Sequence, residues 1–253
     1  CLITGAADGI GRALALRYAQ AGFNIVGLDI DGDKAAQTRA DIEAQGGQIS
    51  FVLGDLSSQV GLATILPQLT PLGPFSCVIH NAGISAVGRF EAVPLAKQQA
   101  VLRLNLHAPL WLTAELFRQN WLTPDASFVF LSSLSYFASY PGAAVYAASK
   151  DGLANYARSL QAAWRGQCLT VFPGPTRTAH ARRYSPDNSR EDGRMPPETL
   201  ANAIFHAEQA GKARLIPGAA NKLMGFAGHL FPGLLEMGMK KVILEKLGGE
   251  VIG

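Results

Sequence analysis

A tyrosine and a lysine stand four residues apart in Tyr146-Ala147-Ala148-Ser149-Lys150. In a helix that interval is about one turn, so the hydroxyl and the ammonium project from the same face. A free tyrosine titrates near pH ~10, too high for useful proton transfer at neutrality. A cation held a few ångströms away favours the phenolate and draws that value down, which makes the pair a candidate general acid/base. The same spacing also occurs on ordinary, partly exposed helix faces. What the rest of the chain places around the pair therefore decides its meaning.

The elements that must position it alternate between two kinds. Residues 1–4 close a short apolar run. A helix is expected over 10–21, with Ile10, Leu14 and Tyr18 on one face and Gly22 at its end. A strand over 24–29 leads to Asp31, placed to cap a helix reaching 45. Strand 49–53, a helix from 58, strand 75–80, a long helix over 95–120, strand 127–132, a helix over 145–164 and strand 168–172 continue the pattern. Nearly continuous apolar strands spaced by helices imply a parallel sheet covered on both faces, an α/β doubly wound arrangement. No internal repeat or linker divides residues 1–253, so a single domain is expected. After Pro173 the regularity lapses, and 176–197, rich in Arg, Ser, Asp, Asn and Pro, reads as a long loop. A helix over 197–210, a short strand at 214–217 and an apolar tail over 221–247 complete the chain.

Composition sets outer bounds. The chain is 48% hydrophobic and 16% charged with 27 glycines, values that fit a soluble globule with a sizeable core. A net charge of +3, with no run of Lys or Arg, makes no case for nucleic acid. Cys1, Cys77 and Cys168 form no C-x-x-C, and two lie in apolar runs. They read as buried strand residues, neither metal ligands nor bridges, which suits a reducing, cytoplasmic compartment; no metal is expected. The chain opens inside an apolar run without Met, so a segment upstream is expected to be missing and targeting signals stay open. The longest apolar candidate, 223–235, falls short of the ~18 residues of a membrane span and carries His229 and Pro232.

Between the first strand and first helix lies Thr4-Gly5-Ala6-Ala7-Asp8-Gly9-Ile10-Gly11. Glycines let backbone approach a pyrophosphate closely, and the helix N-terminus adds free N–H groups and partial positive charge. The spacing is G-x-x-x-G-x-G instead of the common G-x-G-x-x-G, and a tight turn without a ligand is the plainer reading. Asp29 ends the second strand, 18 residues after Gly11, where a carboxylate can accept hydrogen bonds from the ribose hydroxyls of NAD. A 2′-phosphate there would meet like charge, and Asp8 adds a second negative charge within the turn. Both favour NAD over NADP, although Asp29 would also serve as a turn or capping residue beside Asp31.

Thr4-Gly5-x-x-x-Gly9-x-Gly11, Asn81-Ala82-Gly83, Asn105, Ser133, Tyr146-x-x-x-Lys150 and Pro173-Gly174 together resemble the short-chain dehydrogenases/reductases, in their compact single-domain branch. The likeness runs in order from residue 1 to about 178, and Ser133 precedes Tyr146 by 13 residues, the family's usual interval. It implies a Rossmann-type sheet and hydride transfer between NAD(H) and the carbonyl/alcohol carbon of a small or apolar substrate. It implies Tyr146 as general acid/base, with Lys150 lowering its pKa and holding the nicotinamide ribose, and Ser133 bonding the substrate oxygen. Asn105 would hold a water linking Lys150 to solvent. Gly5, Asp8, Gly9, Ile10, Gly11 and Asp29 would lie along the cofactor, as would Asn81, Ala82 and Gly83. Asp55 and the Leu56 N–H would meet the adenine. Pro173, Gly174 and Thr176 would lead to Thr178, capping the carboxamide end. The resemblance also implies a homodimer or homotetramer.

Three features stand apart. The stretch from Lys150 to Pro173 is a few residues shorter than usual in the family, and Ala162-Ala163-Trp164 replaces a commonly acidic position late in that helix. His80, where the family often has Asn, reads as a structural strand-end residue. Over the loop that would cover a substrate, four arginines (Arg182, Arg183, Arg190, Arg194) meet three acids (Asp187, Glu191, Asp192), a net +1 that makes no strong case for an anionic substrate. His180 and Tyr184 are within reach of the site from this loop. In the tail, Leu223, Phe226, Leu230, Leu234, Met237 and Leu244 form an apolar stripe, with Lys222, Lys240, Lys241 and Lys246 around it. Such a stripe is core, a subunit contact, a membrane-surface helix or the wall of an apolar pocket. A nucleotide-sugar epimerase is disfavoured by the glycine spacing. A non-catalytic NAD-sensing or scaffold protein is disfavoured by the intact Asn105, Ser133, Tyr146 and Lys150.

Overall fold

The first strand, β1 (Leu2–Thr4), is three residues long and wholly buried. It lies third in a seven-stranded parallel sheet, in the order β3-β2-β1-β4-β5-β6-β7. The computed structural model describes residues 1–185, 187–242, 245, 247 and 251. The other strands are β2 (Ile25–Asp29), β3 (Ile49–Leu53), β4 (Phe75–His80), β5 (Leu122–Leu131), β6 (Cys168–Val171) and β7 (Arg214–Leu215). Strand order reverses direction between β1 and β4, which opens a crevice at their carboxyl ends. The glycine turn follows β1 and Asn81 follows β4, so both sit at that crevice.

Side-chain alternation along the strands feeds two cores, one per face. Ile3, Ile79, Val129 and Leu169 meet Leu14 and Tyr18 of α1 (Gly9–Gln20) and Leu200 and Ile204 of α9 (Pro197–Gln209). On the other face Leu2, Val78, Phe128 and Phe130 meet Leu112 and Leu116 of α5 (Ala108–Arg118) and Leu153 and Ala157 of α7 (Ala144–Ala163). The caps follow local chemistry. The Asp31 carboxylate accepts from the Lys34 N–H to start α2 (Gly32–Glu43), and Ser58 accepts from Gly61 to start α3 (Gln59–Leu69).

The structure departs from the expected elements in three places. The helix expected over 95–120 is α4 (Leu95–Leu102), a π-helical turn at Arg103–His107, and then α5. Pro109 supplies no N–H to the Asn105 carbonyl four residues before it, so the regular ladder is interrupted there. The expected loop 176–197 contains α8 (Ala179–Tyr184), started by Thr178, whose hydroxyl accepts from Ala181 at 3.1 Å. It also holds a 3₁₀ turn at Glu191–Gly193 and a bridge between Thr176 and Met195. The tail is α10 (Ala219–Leu230) and α11 (Pro232–Val242), the second opening on proline.

The tail packs on the short helix α6 (Ser135–Ala138), just after Ser133. Gly228 is the close contact, because a Cβ there would collide with the Phe137 carbonyl oxygen. The expected apolar stripe is largely outward: Leu223, Phe226, Leu230 and Met237 are exposed. Met239 and Leu247 turn the other way, onto a cluster that includes Tyr146. Leu244 and Lys246 lie outside the described residues, as do the side chains of Leu234 and Lys241. Among the described residues no helix is long and apolar enough to cross a membrane.

Gly11 ties the fold to the site. A methyl group there would collide with the Gly5 carbonyl oxygen and stand 2.6 Å from the Asn81 amide nitrogen. Gly11→Ala should therefore cost about 1–3 kcal/mol of stability and weaken dinucleotide binding. Thermal unfolding and NADH fluorescence titration test this, and a wild-type melting temperature would show that the turn opens freely.

Candidate active site

At the carboxyl end of β1 the chain turns through Gly5 and Gly9, both at positive φ (66° and 53°), where a side chain would strain the backbone. The Asn81 amide donates to the carbonyls of Thr4 (3.0 Å) and Gly5 (3.1 Å). The N–H groups of Asn81 and Ala82 both reach the Thr4 hydroxyl at 3.0 Å. These bonds lock the glycine turn to the end of β4 and leave the first N–H groups of α1 facing the crevice. Gly9 faces Thr178, whose Cγ2 would stand 3.3 Å from an added Cβ. The glycine turn and Thr178, far apart in sequence, are therefore neighbours. The cradle fits a dinucleotide: a bare backbone turn, a helix N-terminus and Gly83 all border one cleft.

The acidic residues are already engaged. The Asp29 carboxylate accepts from the N–H groups of Ala7 and Ile30 (both 2.8 Å) and of Asp31 (3.1 Å), bracing β2 against the glycine turn. Each oxygen retains further acceptor capacity for a hydroxyl. Asp8 caps α1 through Gly9 (2.7 Å) and pairs with Lys34 at 2.8 Å. Burial pushes the Asp8 carboxyl up, but the Lys34 hydrogen bond and the Gly9 N–H carry it below its ordinary value. Asp55 accepts from the Ser57 N–H and hydroxyl (2.8 and 2.7 Å) in a tight turn, beside the buried Leu56. Ile10 packs on the core beneath the turn. Thr176 is buried with its hydroxyl on the Gly174 carbonyl, and the Pro173 carbonyl accepts from Leu134 at 2.9 Å.

Tyr146 and Lys150 come from the first two turns of α7, against the ends of β5 and β6. Lys150 is buried, and its ammonium donates to the Leu131 carbonyl at 2.8 Å, 5.9 Å from the Tyr146 ring centre. Burial pushes Lys150 down to about 8. Tyr146 moves the opposite way from the expectation, up to about 12, because burial outweighs the Ser133 hydrogen bond and the Tyr140 charge adds to the rise. The lysine that was expected to lower it is turned towards Leu131. Ser133 bonds Tyr146 and accepts from the Ser135 N–H at 3.2 Å.

Asn105 is fully buried on the π turn. Its amide donates to the Ile84 carbonyl (2.9 Å) and the Ser149 hydroxyl (3.1 Å), while its oxygen accepts from the Ile84 N–H (2.9 Å). Both amide hydrogens are engaged in a structural role, while the side-chain oxygen accepts a single bond. Gly83 lies between the groups: an added Cβ would stand 3.1 Å from the Asn105 oxygen and 3.3 Å from the Lys150 nitrogen.

His80 is structural. It is buried, 2.9 Å from the Thr113 hydroxyl, stacked on Phe130, and driven by burial down to about 3. Cys77 and Cys168 are pushed by burial up to about 12, as expected of inert thiols. Among the described residues no cluster of His, Cys, Asp or Glu could hold a metal.

Four neighbours escaped the sequence. Ser149, inside the Tyr-Lys motif, bonds Asn105 and the Tyr146 carbonyl (2.7 Å). Tyr140, six residues before Tyr146, meets its ring edge-on at 6.4 Å. Met239 and Leu247 join Val87, Ala143, Tyr140 and Tyr184 in an apolar cluster against Tyr146. For the tail, the apolar-pocket reading of residues 221–247 is the available signal, although it does not single out Met239 or Leu247.

A parallel sheet with a dinucleotide cradle at its reversal point, and a Ser-Tyr-Lys set whose lysine is buried, defines a nicotinamide-linked oxidoreductase. The short chain dehydrogenase family model matches residues 1–189, and the chain belongs to the short-chain dehydrogenase/reductase family. It is 33% identical over 215 residues to 1-deoxy-11-beta-hydroxypentalenate dehydrogenase of Streptomyces exfoliatus, covering 81% of this chain and 78% of the relative. Among solved structures, a short chain dehydrogenase/reductase from Burkholderia phymatum in complex with NAD superposes with a TM-score of 0.79 at 21% identity, covering 90% of this chain and 92% of that one. A short-chain dehydrogenase from Sphingobium yanoikuyae in complex with NADPH gives 0.75 at 23% identity, with 90% and 92% covered. The protein is thus an enzyme of hydride transfer between a nicotinamide dinucleotide and a carbonyl or hydroxyl carbon.

Lys150 has a pH signature. Its folded pKa lies below the ordinary 10.5, so between about 8 and 10.5 the unfolded chain binds more protons and stability rises with pH. Tyr146, raised from 10.0, keeps its proton when the unfolded chain loses one, so its contribution falls above pH 10. Relative to Lys150→Met, the wild type should gain up to about 3 kcal/mol between pH 8 and 10.5. Urea unfolding across that range checks it; parallel curves would mean that the ammonium is solvated.

Proposed function

We propose that the protein is an NAD(H)-dependent alcohol dehydrogenase/ketone reductase in which Tyr146 moves the proton. The observation that carries this reading is the convergence of Ser133, Tyr146, Lys150 and Asn105 beside Gly83 at one end of the glycine cradle. A bound nicotinamide supplies the hydride acceptor or donor. In oxidation the alcohol loses its proton to Tyr146 while Ser133 donates to the developing oxyanion. Lys150 stays cationic at neutrality and is free to turn from Leu131 to the nicotinamide ribose. In that position its charge opposes the effect of burial and brings the Tyr146 phenol down towards working pH. The Asn105 backbone carbonyl holds the water that returns the proton to solvent. Asn81, Ala82, Gly83, Pro173, Gly174, Thr176 and Thr178 line the cofactor; Asp55 and Leu56 border the adenine.

Preference for NAD rests on charge. Asp29 stands at the end of β2, Lys34 is already paired with Asp8 at 2.8 Å and Asp31 at 3.6 Å, and Arg12 with Asp41 at 2.7 Å. A 2′-phosphate would enter a net negative site. The Val87, Ala143, Met239 and Leu247 wall supports an apolar alcohol, and the Streptomyces relative is named for a hydroxylated compound. A homodimer or homotetramer, and action in a reducing cytoplasm, complete the reading.

Absorbance assays over secondary alcohols and ketones, with NAD(H) and with NADP(H), test both parts. Tyr146→Phe should lower kcat by at least about 10²-fold while retaining NADH binding. Tight binding without turnover of any alcohol would favour a sensor. Asp29→Ala should reduce the NAD over NADP ratio of kcat/KM by about 10- to 100-fold. A wild type that prefers NADP would overturn the role given to Asp29.

A further inference from the structure

We propose that Arg194 is the anchor for a carboxylate carried by the substrate, at the aromatic wall formed by Tyr140 and Tyr184. The assignment rests on the reading of the site as an alcohol/ketone centre and adds a second recognition point to it. Arg194 follows the 3₁₀ turn Glu191–Gly193, with its N–H on the Glu191 carbonyl at 2.9 Å. Its Nη2 donates to the Ser185 hydroxyl (3.0 Å), the Asp187 carbonyl (3.2 Å) and the Asn188 side-chain oxygen (2.7 Å). All three acceptor atoms are neutral oxygens, and together they fix the orientation of the guanidinium.

The other side of the fork is different. Nη1 is buried, and among the described residues it has no hydrogen-bond partner. A buried donor on a permanently charged group is costly to leave unpaired, and such a group calls for an acceptor that arrives from outside. Its location points to the substrate. Ser185 caps α8 directly after Tyr184, and Tyr184 packs with Tyr140 and Tyr146. Burial raises the Tyr140 hydroxyl above its ordinary value, and the charge of Arg194 opposes part of that rise.

Neighbouring arginines are otherwise occupied. Arg182 pairs with Glu191 at 2.7 Å, and Arg183 lies over the Tyr184 ring at 5.6 Å. One guanidinium with a free edge suits a planar single charge, a carboxylate, better than a phosphate that would call on several cations. With Val87, Met239 and Leu247 lining the same cluster, the ligand defined is a hydroxy acid on an apolar skeleton. The net charge of the loop concealed this, because the count includes arginines already paired.

The test uses matched pairs: 3-hydroxycyclohexanecarboxylate with its methyl ester, and a 3-hydroxysteroid side-chain acid with its methyl ester. Each is titrated calorimetrically into the NADH-loaded protein, where no turnover follows. The better acid should bind about 10- to 100-fold more tightly than its ester. That ratio should fall to about one in Arg194→Met and to an intermediate value in Arg194→Lys, which keeps the charge and loses the fork. Equal affinities in the wild type, no binding of either acid, or an acid preference that survives Arg194→Met would overturn the assignment. If Tyr146-dependent turnover of neutral ketones persisted alongside such a result, the reaction reading would stand and the anchor alone would fall.

Discussion

An ammonium and a phenol buried one helical turn apart constrain everything around them. Burial drives Lys150 towards its neutral form and Tyr146 away from its phenolate, so each group taken alone resists the state that catalysis needs. The protein tolerates the pair because the charge has a backbone partner, the Leu131 carbonyl, at the carboxyl end of β5. A lysine held by one carbonyl is retained and also mobile between partners. In the proposed mechanism, proton transfer by Tyr146 then depends on where that ammonium points.

The π turn serves the same constraint. Placing Asn105 where both its amide and its oxygen bind Ile84 stiffens the segment after Gly83, while Ser149 joins it to α7. A regular helix through Leu95–Arg118 would have offered the side chain at a different angle and closed over its carbonyl. Pro109 makes the irregular turn the cheaper solution by removing a hydrogen bond that the α-helix would otherwise demand. Helix irregularity here is positional. It brings a polar side chain to one backbone segment, at Ile84.

Much of this was legible in order along the chain. The alternation of apolar runs and amphipathic helices predicts the parallel sheet, because each strand reads locally and its partners follow from topology. Asp31 and the glycine turn announce themselves through backbone chemistry that needs no tertiary context. The π turn was not legible as such, since Leu95–Arg118 has continuous helical periodicity and only Pro109 hints at a break. Nor was α8, whose six residues carry four polar or charged side chains and depend on the Thr178 cap. The direction of the Tyr146 shift was misjudged for a physical reason: spacing reports proximity to a cation, whereas desolvation depends on Tyr140, Met239 and Leu247, which are brought in by folding.

The site therefore has two walls of different origin. Its polar wall is built from the carboxyl ends of adjacent strands, tied by short bonds such as those from Asn81 to Thr4 and Gly5. Residues there occupy positions set by the sheet, so their spacing in sequence is a guide to their spacing in space. The other wall comes from the loop after β4, from α8 and from the tail beyond α10, each arriving by packing instead of by sheet register. Gly228 against Phe137 fixes how closely the tail can approach, and with it how far Met239 and Leu247 reach over the tyrosine. Changes in those segments can reshape the pocket without disturbing Ser133, Tyr146 or Lys150. Reaction type and substrate choice are thereby carried by separate parts of one chain, and only the first is bound to a fixed interval between residues.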